Sequence, residues 1–290
     1  MFRPIDAITI GYLLLLSVLV AFFNGNLSRP WAFIFLHLCI IALIVGLVFL
    51  ARRMRSELVR FCREWYPGLF FIFGFEEIGY LADMVTPERF HQALIALDYA
   101  IFGVHPTVWL GQFARPWLTE MLMFCFASFY FLIPFVGLVL YFKNKQEELS
   151  ELLLTAGIAF YICFLIFIFL PAEGPWITMI HLHPEPLKGG PFTWFVYFVE
   201  GLGTIRGGAF PSSHVAVAVV VLIAAYRHQR VLFHGLLPVI IGLLVSTVYG
   251  RFHYAVDVLS GVLVGLVGFL IGLWILQRSR RDVREAAFRK

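Results

Sequence analysis

Two histidines and an aspartate stand out in a chain this apolar: His214 in "GAFPSSHVAVAVVV", and His253 with Asp257 in "YGRFHYAVDVLSG". A histidine and an aspartate four residues apart share one face of a helix. Asp257 can therefore accept one ring N–H of His253, fix its tautomer and leave the other nitrogen as a nucleophile. Attack on phosphorus gives a phosphohistidine, and His214 is placed to protonate the departing oxygen, a contribution of about 10²–10⁴ in rate. The opening Pro211-Ser212-Ser213 offers phosphate a positive helix end, so Ser212 and Ser213 are candidate phosphate contacts. Arg251 adds a planar fork of donors suited to phosphate oxygens.

Further candidates for phosphate or substrate contact are Arg206 in "TIRGGAF", Lys188, Glu173 in "PAEGPW", Asp98 in "LDYAIFG" and Glu77, which with Glu76 interrupts an apolar stretch. A carboxylate at membrane depth is a functional hypothesis by default. Each also has a plainer reading: Arg251 as a snorkelling anchor, Asp98 and Glu173 as loop caps, Glu77 as a tie to a neighbouring helix. His181 and His183 in "HLHPEP" lack a third ligand, and Cys39, Cys62, Cys125 and Cys163 show neither metal nor disulfide spacing. Neither a metal nor another cofactor is implied. His37, His91, His105, His228 and His234 read as structural.

These residues must be positioned by membrane-embedded helices. The composition is 61% hydrophobic and 14% charged, against about 25% charged in a soluble domain. The net charge of +4 lies beside apolar segments and not in a patch, which argues against a nucleic-acid partner. Apolar stretches near the roughly 20 residues that cross a bilayer run over Ala7–Phe23, Trp31–Ala51, Trp65–Ala82, Trp117–Phe142, Leu149–Leu170, Pro211–Tyr226, Val231–Tyr249 and Tyr254–Leu276. The expectation is an all-α integral membrane protein with eight transmembrane helices. The first is read as a retained span, since no small-residue cleavage site follows it. "RFHQALIALDYAIFG" reads as a short interfacial helix, and "FTWFVYFVE", within the long 171–210 connection, as an amphipathic segment lying over the lipid.

Every second loop is basic. Arg3, Arg52, Arg53, Arg55, Arg60, Arg63, Lys143, Lys145, Arg227, Arg230, Arg278, Arg280, Arg281, Arg284, Arg289 and Lys290 make up 16 of the 22 Lys and Arg residues. The positive-inside rule then puts both termini in the cytoplasm, and His214, His253 and the 171–210 connection on the extracytoplasmic face.

"PSSH", followed about 40 residues later by "RFHYAVD", resembles the type 2 phosphatidic acid phosphatase superfamily. The resemblance covers residues 65–276 and implies a six-helix membrane core made of spans three to eight. Residues 1–64 add two N-terminal helices, and residues 277–290 a basic tail. It further implies that His253 is the nucleophile, Asp257 its orienting partner and His214 the acid. "LDYAIFGVHP", "LPAEGPW" and "YGRFHYAVD" are similar to the inositolphosphotransferase branch that includes inositol phosphorylceramide synthase. The superfamily's Lys-x6-Arg-Pro motif is not recognisable here, and Ser246-Thr247 stand where many members carry Ser-Arg.

The expected function is metal-independent cleavage of a lipid phosphoester or diphosphate, with water or a lipid alcohol as acceptor and the bilayer as the enclosing partner. Water as acceptor makes a lipid phosphate or polyprenyl diphosphate phosphatase; an alcohol makes a phospho-headgroup transferase. No protein partner is indicated. A transporter or non-catalytic lipid-binding protein, with the histidines and aspartate as a proton relay, is the alternative of another class. It predicts broken helices and inverted repeats, which the sequence does not display.

Overall fold

The computed structural model describes residues 2–54, 56–183, 185–203 and 205–288. Arg55, Arg289 and Lys290 of the basic loops lie outside them. Twelve α-helices follow one another among the described residues: α1 Pro4–Phe22, α2 Pro30–Arg53, α3 Glu57–Leu81, α4 His91–Phe102, α5 Pro106–Gly111, α6 Pro116–Phe142, α7 Gln146–Phe169, α8 Pro175–Thr178, α9 Pro191–Gly203, α10 Ser213–His228, α11 Arg230–Tyr249 and α12 Ala255–Phe288. Proline opens α1, α2, α5, α6 and α8, where its missing N–H would have had no intrahelical partner.

Among the described residues six helices, α1, α2, α6, α7, α11 and α12, are long and apolar enough to cross a membrane. The other two expected spans exist as helices of a different kind. α3 carries Glu57, Arg60, Arg63, Glu64, Glu76 and Glu77 along its 25 residues. α10 has only 16 residues, about 24 Å at 1.5 Å per residue against a hydrocarbon thickness of about 30 Å.

α7 is buried on all sides, with α1, α3, α6, α10 and α12 packed around it. Gly261, Gly265, Gly268 and Gly272 form a stripe along one side of α12 and let it close on two neighbours. A Cβ on Gly265 would stand 2.5 Å from the carbonyl oxygen of Ala216 on α10, and one on Gly268 would stand 3.0 Å from the backbone of Ala159 on α7. Small residues of this kind permit the backbone approach that drives helix association in lipid.

The polar ties sort to the two ends of this bundle. At one end Lys143 reaches Gln229, Lys145 the carbonyl of His228, Arg280 Glu147, and Arg227 and His228 Glu151. Arg63 pairs with Asp6, which also accepts the Tyr66 hydroxyl. The histidine site lies at the opposite end of α10 and α12, so these basic loop residues and the site are a helix length apart.

α9 does not lie flat across the bundle. Glu120 on α6 accepts the N–H groups of Gly190 and Phe192, both at 2.6 Å, and that of Thr193 at 3.2 Å, while Tyr130 on α6 donates to Glu200 at 2.8 Å. Ties ten residues apart on α6 and eight apart on α9 make α9 run alongside α6 in the same direction over about 12–15 Å. Phe192, Trp194, Phe198 and Leu202 face outward. Glu120 acts as the helix cap, and the expected amphipathic segment is thereby turned down the flank of the bundle.

Candidate active site

Three loops and two helix ends build the site. Residues 172 and 207–209 are stitched by Ala172 N–H to Gly207 O at 3.1 Å and Ala209 N–H to Ala172 O at 3.0 Å. The turn after α11 is tied to the same layer, since Trp176 N–H donates to Arg251 O at 2.9 Å. Phe252 and His253 donate their N–H groups back to Thr247 O, at 3.0 and 3.1 Å. Arg251 has φ +68°, in the left-handed region, a conformation that side chains other than glycine adopt rarely and often at functional sites. Gly174 lies so close to the carbonyl oxygen of Phe252 that a Cβ would collide with it.

His253 and His214 meet here, with His253 Nε2 3.5 Å from His214 Nδ1 and ring centroids 5.6 Å apart. His253 Nδ1 lies 2.9 Å from Ala209 O and 3.4 Å from Asp257 Oδ2. Asp257 is fully buried; its Oδ2 also accepts Tyr254 N–H at 2.8 Å, and its Oδ1 has no hydrogen-bond partner among the described residues. An Nδ1–H directed at these oxygens fixes the tautomer whose Nε2 lone pair points toward His214. The His214 ring is flanked by Phe129 and Phe126, at centroid distances of 4.3 and 5.2 Å.

Two adjoining cavities open on this layer. The smaller, about 50 Å³, is bounded by His214, His253, Glu173, Glu200 and backbone around Gly208. The larger, about 480 Å³, is bounded by Arg251, His183, Tyr197 and Ile180, and shares Trp176, Glu200 and Phe252 with the first. Burial raises the Glu200 pKa above the ordinary carboxylate range, against the lowering pull of the Tyr130 hydrogen bond and of the nearby His253 ring. Burial lowers the Arg251 pKa. Among the described residues no three His, Cys, Asp or Glu side chains converge as a metal centre would require.

The other residues singled out from the sequence are placed as follows. Arg251 lines the larger cavity and not the one that holds the histidines. Glu173 lines the smaller cavity, with Arg89 Nε 3.9 Å from its carboxylate. Ser212 caps α10, its Oγ accepting Val215 N–H at 3.3 Å and its N–H donating to Asp257 O at 3.1 Å. Ser213 is buried at the first position of α10. Asp98 on α4 is buried, and its two oxygens accept the N–H groups of Ala255 and Val256 at 3.0 and 2.8 Å, which makes it a cap for α12. Glu77 pairs with His37 at 2.6 Å between α3 and α2, away from both cavities. Lys188 is exposed and 3.5 Å from Glu185, and Arg206 is exposed.

Two contributors were not singled out from the sequence, the Ala209 carbonyl and Glu200, and His183 reads there only as half of a histidine pair short of a metal site. The carbonyl has no sequence signal, because every residue carries one. Glu200 closes an aromatic amphipathic segment, and a charge in that place reads as a solvated helix end until α9 is seen to run along α6.

The order of the motifs along the chain, and their meeting in space across about 40 residues, point to one lineage. Neither a curated protein nor a solved structure matches the chain. A family profile described as the PAP2 superfamily matches residues 92–271, a stretch that contains α4, the two histidines and the start of α12. The match covers well over half of the sequence, and this chain belongs to the PAP2 superfamily.

Proposed function

We propose that the protein is a membrane enzyme that cleaves a lipid phosphoester or diphosphate through a phosphohistidine at His253. Superfamily membership supports phosphatase-type activity, and the observation that carries the residue roles is the approach of the two imidazoles to 3.5 Å on one cavity wall. His253 Nε2 attacks phosphorus while its Nδ1–H is held by Asp257 and Ala209 O. His214 gives its proton to the departing oxygen and then receives one from the incoming acceptor. The positive end of α10 offsets charge that develops on the phosphoryl oxygens.

The acceptor is water or a lipid alcohol, and the similarity of "LDYAIFGVHP" and "LPAEGPW" to the inositolphosphotransferase branch favours transfer of a phospho-headgroup. Eight spans with both termini in the cytoplasm put the site on the extracytoplasmic side. The gathering of Lys143, Lys145, Arg227 and Arg280 at the far end of the bundle from the histidines supports that orientation. The test is an assay on the purified protein that follows phosphate release and transfer to added lipid alcohols side by side, with His253→Ala as control. Turnover lost in that variant supports the reading, and normal turnover contradicts it.

A further inference from the structure

The residues around the larger cavity carry a feature the catalytic reading does not use. Arg251 and His183 both line it, and among the described residues neither Arg251 Nε nor His183 Nε2 has a hydrogen-bond partner, although both atoms are out of contact with solvent. His183 is 8% exposed, between exposed neighbours His181 and Leu182 on one side and Glu185 beyond it. A loop histidine turned inward with an unpaired ring nitrogen leaves a desolvated polar group uncompensated, which is costly unless a ligand completes it. The guanidinium is fixed in place as well, by its Nη1 bond to Glu185 O at 3.0 Å and by the left-handed backbone at Arg251.

Arg251 carries a fixed positive charge, and His183 lines the same space with a ring nitrogen that a bound negative charge would protonate, so the ligand that completes them is an anion. Burial, then the charges of Arg251 and His181, push the His183 pKa down to about 4, a penalty that an anion between His183 and Arg251 would relieve. Glu200, on the common wall, is turned to the Tyr130 hydroxyl it accepts. The smaller cavity, where a phosphoryl group meets His253, adjoins this space through Trp176, Glu200 and Phe252.

We propose that Arg251 and His183 form a second anion subsite, which holds the inner phosphate of a diphosphate while its terminal phosphoryl group sits on His253. The subsite rests on the phosphohistidine reading and deepens it by naming a diphosphate as the substrate class. His253 Nε2 bonds to the terminal phosphorus, the bridging P–O bond breaks, and the monophosphate leaves from the Arg251 side with the proton supplied by His214. With water as acceptor, attack on the phosphohistidine gives orthophosphate, the free imidazole and a proton on His214; a lipid alcohol in its place takes the phosphoryl group and leaves the same proton on His214.

The test is equilibrium binding to the full-length protein in detergent micelles, with decyl diphosphate, decyl phosphate and pyrophosphate, each carrying CH2 in place of the oxygen that would be cleaved, and orthophosphate as probes, so that the wild type binds without turnover. The wild type is expected to prefer decyl diphosphate over decyl phosphate by about tenfold or more, the worth of one or two charge-assisted hydrogen bonds. Arg251→Gln and His183→Gln should each reduce that preference to about threefold or less. His253→Ala should lose phosphoryl transfer and keep the preference, so a failure of the nucleophile assignment reads separately from a failure of the subsite. Pyrophosphate preferred over orthophosphate to the same degree would show that the free diphosphate suffices. A preference confined to the decyl compounds would assign the subsite to a lipid diphosphate. Equal affinity for the two decyl compounds in the wild type, or a preference intact in both glutamine variants, would overturn the proposal.

Discussion

The Nδ1 atom of His253 is nearer to the carbonyl oxygen of Ala209, at 2.9 Å, than to the Asp257 carboxylate, at 3.4 Å. The carbonyl is itself anchored, because Ala209 N–H donates to Ala172 O at 3.0 Å. Two acceptors therefore share the task of fixing the imidazole tautomer, and Asp257 divides its Oδ2 between the ring and the Tyr254 N–H.

Loss of the carboxylate should accordingly be partial. Asp257→Asn is expected to lower kcat by about 10- to 100-fold, less than the ~10⁴ seen where a carboxylate alone sets the tautomer of a triad histidine. Steady-state kinetics on a lipid phosphate or diphosphate checks this. A loss as deep as that of His253→Ala would mean that the Ala209 carbonyl contributes nothing.

Gly174→Ala tests the placement of the 250–254 turn. Its Cβ would meet the Phe252 carbonyl, which is backbone and has no rotamer to yield. Displacement of His253 by even about 1 Å can cost on the order of 10² in rate. The expected outcome is a drop of that size in kcat with helical content unchanged by circular dichroism.

Asp98 fastens α4 to the first turn of α12 through the Ala255 and Val256 N–H groups. Asp98→Ala should cost about 1–2 kcal/mol, as loss of a helix N-cap does, and should lower kcat because His253 and Asp257 flank the loosened turn. Asp98→Asn, which keeps one acceptor oxygen, should fall between the two. Thermal unfolding in detergent and kcat, measured on the same samples, decide the matter; a change in KM alone would make Asp98 a substrate contact instead.

Glu77 and His37 form a buried tie between α3 and α2, extended by Ser17 at 2.8 Å from the other ring nitrogen. Glu77→Leu leaves His37 without its partner and should destabilise by about 1–3 kcal/mol, while the double variant Glu77→Leu/His37→Leu should regain most of that loss. Activity per folded molecule should stay within about threefold in both. A collapse of turnover at unchanged stability would return Glu77 to the list of substrate contacts.

That His214, His253 and Asp257 come together was legible in the sequence because the signal is local: a histidine and an aspartate one helical turn apart, and a second histidine behind Pro211-Ser212-Ser213. The apolar lengths of α1, α2, α6, α7, α11 and α12 were legible for the same reason. α3 and α10 were harder, since α3 carries charges whose partners are distant in sequence, such as Arg63 with Asp6 and Glu77 with His37. The course of α9 was hidden because Glu120 and Tyr130, 70 residues earlier, decide it. The side on which Arg251 falls was hidden as well: its left-handed backbone turns it away from the cavity that His253 lines, two residues later.

The claim on which the rest depends is that His253 becomes covalently phosphorylated. The direct measurement is rapid quench into alkali of the purified protein mixed with a lipid diphosphate labelled in its terminal phosphoryl group, followed by peptide mass spectrometry. The account predicts an acid-labile, alkali-stable phosphoryl group on His253, absent from His253→Ala and longer-lived in His214→Ala. Turnover that proceeds with no label on His253 at any quench time, or with the label on another residue, would contradict it.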